Sequence, residues 1–219
     1  FAFVDVFGIP ANIANGTNRI SILLQNIVGV SSFRKQKILE FKPSWKLLIP
    51  AVAGSIAGAL IAVDLNEEIM EKAIGGLLLF MFFIILWKPS SWLRARQGSS
   101  ALPYSLQLPI FFFVGLYGGF IQAGVGFFLL AGLVLGSGYD LVSANAVKVL
   151  IVLAYTIFAL SIFIIYDQVN FAYGIILSLG SMLGAFIAAR YAVKWGVKFV
   201  RYVLLFTVFV ASLKLLGVF

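Results

Sequence analysis

A chain of 219 residues that is 62% hydrophobic and 11% charged, with a mean hydropathy of +1.08, lacks the polar surface that an aqueous domain shows to water. The formal net charge is +8, but the Lys and Arg residues cluster in short connections between apolar runs, so they report membrane topology and argue against nucleic acid as a partner. With no Cys and no His, disulfides, thiolate chemistry, imidazole-held metal and His-based acid–base catalysis are excluded, and neither a metal nor a cofactor is expected.

The apolar runs are continuous over roughly 17 to 22 residues, the length a helix needs to cross a bilayer, and do not alternate as barrel strands do. The expected fold class is therefore an all-α integral membrane protein. The chain starts at Phe1 without Met and inside an apolar segment, which reads as a truncated start. Residues 1–7 look like the tail of an apolar arm, broken at Gly8-Ile9-Pro10. A helix is predicted from Asn15 or Thr17 to about Phe33, since Asn and Thr cap free amides at a helix start. The connection after it carries Arg34, Lys35, Lys37, Lys42 and Lys46 against Glu40, so it is cytoplasmic by the positive-inside rule.

A helix over residues 47–63 holds Gly54, Ala57, Gly58 and Ala59, small residues that let helices approach closely in lipid. The acidic connection over residues 64–72 suits the outer side, and a helix over residues 73–87 returns. Lys88, Pro89, Ser90, Arg94, Arg96, Gly98 and Ser99 then form a polar cytoplasmic linker. We therefore divide the chain into a first transmembrane repeat over 1–88, a cytoplasmic linker over 89–106 and a second repeat over 107–219.

Residues 107–121 and 122–137 are two apolar arms joined by a glycine cluster. Each is about 15 residues, roughly 23 Å as helix, too short for a full crossing and so broken or re-entrant. Helices follow over residues 144–166 and 171–190, the second with Gly180, Gly184 and Ala185, then a basic connection over residues 190–201 and a last helix to Phe219.

The order of elements recurs. GIPANIANGTNR near the start echoes SGYDLVSANAVKV, and Gly54-Ser55-Ile56-Ala57-Gly58-Ala59 pairs with Gly180-Ser181-Met182-Leu183-Gly184-Ala185. The charged loops orient the helix after Asn15 inward and the helix after Asn145 outward, so the halves read as inverted repeats, each a broken hairpin followed by three transmembrane helices. Extrapolating the offset leaves about 24 residues of the first repeat before Phe1, so that repeat reads as truncated at its N-terminus.

Polar residues inside apolar helices carry the functional reading. At helical spacing Asn15, Arg19 and Asn26 share one face, with Asn18, Ser21 and Gln25 beside it, and Asn145 and Lys148 share a face with Tyr155. Each helix start would offer free amides, an amide side chain and a fixed cation, which suits an oxyanion. Snorkelling of Arg19 or Lys148 and simple capping by Asn are the bland readings, but neither explains a matched pair in both halves. Asn15-Gly16-Thr17 also fits a glycosylation pattern, set aside because it lies at an intramembrane break.

The cluster Gly115, Gly118, Gly119, Gly124 and Gly126 either permits tight packing or releases amides toward a cavity, and Gln122 within it favours the cavity. Asp5 is either a coupling-proton carrier or a helix-end or interface residue. The candidate substrate-binding set is Asn15, Thr17, Asn18, Arg19, Gln122, Asn145 and Lys148, with no catalytic and no metal-binding residue.

GGFIQAGVGFFLLAGLVLGSGYDLVSANAVKVL, the related GIPANIANGTNRISILLQNIVGV, and the basic connection and Gly-rich helix of each half resemble the sulfite exporter TauE/SafE-like permeases over nearly the whole chain. The resemblance implies an inner-membrane, multi-pass carrier of sulfite or small organosulfonates such as sulfoacetate. The first glycine-rich arm of the family pattern is absent here. From the residues themselves a secondary carrier working by alternating access, an anion channel and a carrier of small carboxylates all stay open, while an intramembrane enzyme finds no nucleophile–base pair. The expected partners are the bilayer and a small anionic substrate, and a homodimer is left open.

Overall fold

The computed structural model describes residues 8–39, 41–86 and 101–215, and every regular element among them is helical. The elements are α1 (Ala11–Lys35), α2 (Phe41–Val63), α3 (Glu67–Leu86), α4 (Tyr104–Phe120), α5 (Val125–Ala131) running into a π-helical turn (Gly132–Gly136), α6 (Leu141–Ile165) and α7 (Phe171–Leu215). Asp5 and most of the polar linker lie outside the described residues. By length and composition, Trp45–Val63 and Leu141–Ile165 can cross a membrane, with shorter apolar helices at Tyr104–Phe120, Val125–Gly136, Phe171–Leu183 and Leu205–Lys214.

Five helices begin earlier than their patterns predict: α2 at Phe41, so that Lys42 and Lys46 of the predicted cytoplasmic connection belong to a helix, α4 at Tyr104, and three more as follows. α1 starts behind Pro10, whose carbonyl accepts the Ala14 N–H at 2.9 Å, so Asn15 sits in the second turn. α3 starts behind Asn66, whose Oδ1 accepts the Ile69 N–H at 2.8 Å, so the predicted acidic loop is largely the first turns of a helix. α6 starts behind Asp140, and Asn145 is again one turn inside. A further difference is larger. The connection predicted over residues 190–201 is helical, and α7 runs unbroken for 45 residues, about 67 Å at the α-helical rise. That stretch contains no Pro, and its charges alone do not end a helix.

The chain forms two compact units, each drawing on both sides of the linker. One comprises residues 1–21, 65–89 and 169–219, the other residues 22–64 and 90–168.

In the second unit, α2 and α4 meet backbone to backbone. A Cβ placed on Gly54 would lie 1.9 Å from the Phe112 carbonyl oxygen, one on Gly58 2.0 Å from that of Leu116, and one on Gly119 2.0 Å from that of Ser55. The paired positions rise together, so the two helices run parallel. Gln168 Nε2, just past α6, donates to the Val63 carbonyl at the end of α2 (2.9 Å), so α6 runs the same way. All three set out from the end where the Tyr104 hydroxyl donates to the Lys46 carbonyl (3.0 Å).

α4 and α5 form the predicted hairpin. Its base is closed by the Leu102 N–H on the Gly136 carbonyl (2.7 Å) and by Ser137 Oγ on Gln107 Oε1 (2.9 Å). Its tip unwinds at Ile121–Gly124, where Gln122 and Gly124 take φ of 68° and 72°. The core of this unit gathers Leu47, Phe111, Leu129, Leu133, Val147, Ile151 and Tyr155.

In the first unit, the Phe82 and Phe209 rings of α3 and α7 lie 5.0 Å apart. Gly174 admits Ile20 of α1 so closely that a Cβ there would come within 2.4 Å of its Cδ1. Gly180, predicted to repeat the part played by Gly54, meets no heavy atom within 4 Å. Among the described glycines of α7 the close approach belongs to Gly174, and the side-chain surroundings of Gly184 and Ala185 lie outside the described residues.

Candidate functional site

The seven predicted substrate residues divide between the units. Asn15, Thr17, Asn18 and Arg19 lie in the first, and Gln122, Asn145 and Lys148 in the second.

On α1 the predicted polar stripe splits by burial. Asn15, Thr17, Arg19 and Ser21 are buried, Asn26 is half-buried, and Asn18 and Gln25 are exposed. Arg19 is the largest of the fully buried side chains, at 0% exposure. A guanidinium suits such a place better than an ammonium would, because its charge is delocalised and more weakly hydrated. Thr17 has a structural partner: its Oγ1 accepts the Asn170 N–H at 2.9 Å, while Asn170 Oδ1 accepts the Tyr173 N–H and so caps α7. The hydroxyl proton of Thr17 is what that side chain can still offer a ligand. Asn26 Nδ2 donates to the Ile22 carbonyl of its own helix, at 2.7 Å.

On α6 the expected supply of free amides is already used. The Asp140 carboxylate accepts from Val142 N–H (2.9 Å) and Ser143 N–H (3.1 Å), occupying the positive end of the helix with a side chain of the protein itself. The hydrogen bonds from Ser143, ahead of that from Val142, hold the Asp140 carboxyl below the usual carboxylate range. What this helix start can offer a ligand is therefore side chains further in. Asn145 and Lys148 are half-buried, one turn apart, and Lys148 Nζ donates to Asn145 Oδ1. That bond fixes the amide so that its Nδ2 end is turned away from the ammonium, which leaves a donor and a cation on neighbouring atoms.

Gln122 at the hairpin tip is 7% exposed and holds a left-handed backbone that is uncommon outside glycine. Its Nε2 donates to Thr156 Oγ1 (3.2 Å) and reaches the Tyr155 hydroxyl (3.5 Å), both side chains being fully buried. Sequence reasoning placed Tyr155 on the right face but missed Thr156. The signal was there: Thr156 is a polar residue three turns after Asn145 in an otherwise apolar helix.

The tip runs antiparallel to α6, from Gln122 at Thr156 to Gly126, whose absent Cβ would lie 3.8 Å from Lys148 Cδ. The glycine cluster does two jobs. Gly115 and Gly119 face carbonyl oxygens of α2, with Cβ clearances of 2.1 and 2.0 Å, so for them packing is the correct reading. A Cβ on Gly118 would come within 3.0 Å of the Tyr155 ring and hydroxyl. Gly124 supplies the left-handed turn, and Gly126 opens beside Lys148.

A family model described as Sulfite exporter TauE/SafE matches residues 1–215. A Sinorhizobium protein described as "Probable membrane transporter protein ORF9" is 24% identical over 97% of this chain and 81% of its own length. A "Probable membrane transporter protein" of Haemophilus influenzae is 24% identical over 95% of the chain and 81% of its own length. "Probable membrane transporter protein YfcA" of Escherichia coli K12 is 26% identical over 94% and 76% respectively. No solved structure matches the chain.

Proposed function

Because the chain belongs to the sulfite exporter TauE/SafE family of membrane transporters, we propose that it is a multi-pass secondary transporter of the inner (plasma) membrane. Its substrates are small anions, sulfite or organosulfonates such as sulfoacetate, carried by alternating access. In this reading Arg19 and Lys148 supply positive charge, and Asn15, Thr17, Gln122 and Asn145 orient the oxygens of the anion. Asn18 serves from the exposed flank of the α1 turn.

The observation that carries the proposal is the recurrence of an amide one turn inside a helix and a cation about one turn further on, with Arg19 buried and Lys148 half-buried. Ionic side chains placed that way are costly, and transport of an opposite charge is a reason to keep them. The capping role of Asp140 strengthens the assignment to Lys148, since backbone amides at that helix start are engaged already.

The test is flux of labelled sulfite into proteoliposomes. A secondary carrier gives saturable, gradient-dependent uptake; linear current–voltage behaviour at much higher rates identifies an anion channel instead. Competition by unlabelled sulfoacetate and by small carboxylates then ranks the substrate classes, carboxylate preference favouring the alternative carrier. Unaltered transport by Lys148→Met removes the charge assignment.

A further inference from the structure

A glycine inside a helix is destabilising by about 1 kcal/mol relative to alanine, so each one calls for a reason in its backbone or in its neighbours. Gly54, Gly58, Gly115 and Gly119 have one in the backbone contact of α2 with α4, and Gly124 has one in its left-handed φ. Gly126 has neither. Its φ is not positive, and a Cβ there would meet a single neighbour, Lys148 Cδ, at the ordinary contact distance of 3.8 Å. Among the described glycines with room around them, Gly8, Gly76 and Gly180 face nothing, while Gly132 and Gly136 meet Ile110, Phe111 and Leu102. Gly126 is the one set against the stem of a cation.

Its position is also fixed. Gln122 is held to Thr156 and Tyr155 of α6, Gly124 turns the chain, and Val125 is buried beneath the tip. The turn therefore cannot drift away from Lys148 without breaking the bonds of Gln122. Gly126 itself is half-buried, and the space a side chain would take there lies against the stem of the lysine.

We propose that Gly126 is a specificity-determining residue: the space left by its missing side chain beside Lys148 admits the part of an anion that extends beyond its oxyanion group, and so sets the largest anion the protein carries. This rests on the reading of Lys148 as a substrate contact. It deepens that reading, because the lysine selects for charge and the glycine for size. A methyl group at position 126 fits without displacing backbone, so the change acts on the space and not on the fold.

The experiment measures uptake of sulfite and of the longer sulfoacetate in proteoliposomes for wild type, Gly126→Ala, Gly126→Val and Lys148→Gln, with thermal unfolding of each protein in detergent. The expected result is unfolding of Gly126→Ala at or slightly above the wild-type temperature, as alanine in a helix predicts, together with a fall in the sulfoacetate-to-sulfite ratio of about tenfold, the discrimination one carbon gives beside a substrate, and a larger fall for Gly126→Val. Lys148→Gln loses uptake of both anions. If Lys148→Gln is inactive but both Gly126 variants keep the wild-type ratio, or slow the two anions equally, the size role of Gly126 is overturned and the charge role of Lys148 stands. If Lys148→Gln transports normally, or wild type carries neither anion, the underlying reading is overturned and the role of Gly126 goes with it.

Discussion

The polar turn of α1 and the polar turn of α6 share a pattern, an Asn followed within one turn by a cation, but the two cations are placed differently. Arg19 is fully buried, whereas Lys148 is half-buried, bonded to an amide on its own helix and flanked by the open position at Gly126. The difference teaches that matching patterns need not mean matching roles. A delocalised guanidinium inside the protein is a fixed charge held by its surroundings, and an ammonium on a flexible stem can follow a ligand.

Removing Arg19 should have the largest effect. Arg19→Ala empties a fully buried side-chain volume and is expected to lose about 3 kcal/mol or more of stability, read as a fall in thermal unfolding temperature and in folded yield. A variant as stable as wild type would erase the contrast between the two cations. Lys148→Met comes next: uptake falls about 100-fold, equivalent to roughly 2.7 kcal/mol, with the unfolding temperature nearly unchanged. Loss of folding there would mean that Lys148 supports the fold as Arg19 does, and would erase the contrast from the other side.

Thr17→Val tests the tether of the α1 turn. It keeps the shape but leaves the Asn170 N–H without its acceptor, for a loss of about 1 to 2 kcal/mol in unfolding. Asp140→Ala tests the cap of the α6 turn and is expected to cost about 1 kcal/mol. Because the Asp140 carboxyl is held below its ordinary range, its contribution is present above the unfolded-state value and disappears as pH falls through the folded-state value. The stability gap between wild type and Asp140→Ala should therefore close toward acid pH; a gap that widens on acidification would contradict the capping role.

Much of the fold was legible because it is written in local composition. Apolar runs, the broken hairpin at the glycine cluster and the close-packing helix at Gly54 and Gly58 all follow from residue size and hydropathy, and the structure contains them. The starts of α1, α3 and α6 were read late because Asn15, Thr17, Ala73 and Ala144 drew attention from Pro10, behind which α1 begins, and from Asn66 and Asp140, whose side chains hold early amides. Asp140 before Leu-Val-Ser was a readable cap signal. The length of α7 was not readable, since a basic stretch with no Pro can be a loop or a helix with equal local cost. Nor was the partner of Gln122, because Thr156 reaches it only through the antiparallel course of the tip along α6.

The seam between α2 and α4 has a consequence for how the molecule can move. Where carbonyl oxygens of one helix occupy the space that side chains would fill on the other, sliding by even a fraction of a turn would drive peptide into peptide. These two helices behave as one splint through any working cycle. The unwound joints at Gly124 and Gly138, on either side of α5, carry left-handed backbones and no such seam, so the hairpin tip is free of the constraint that locks α2 to α4.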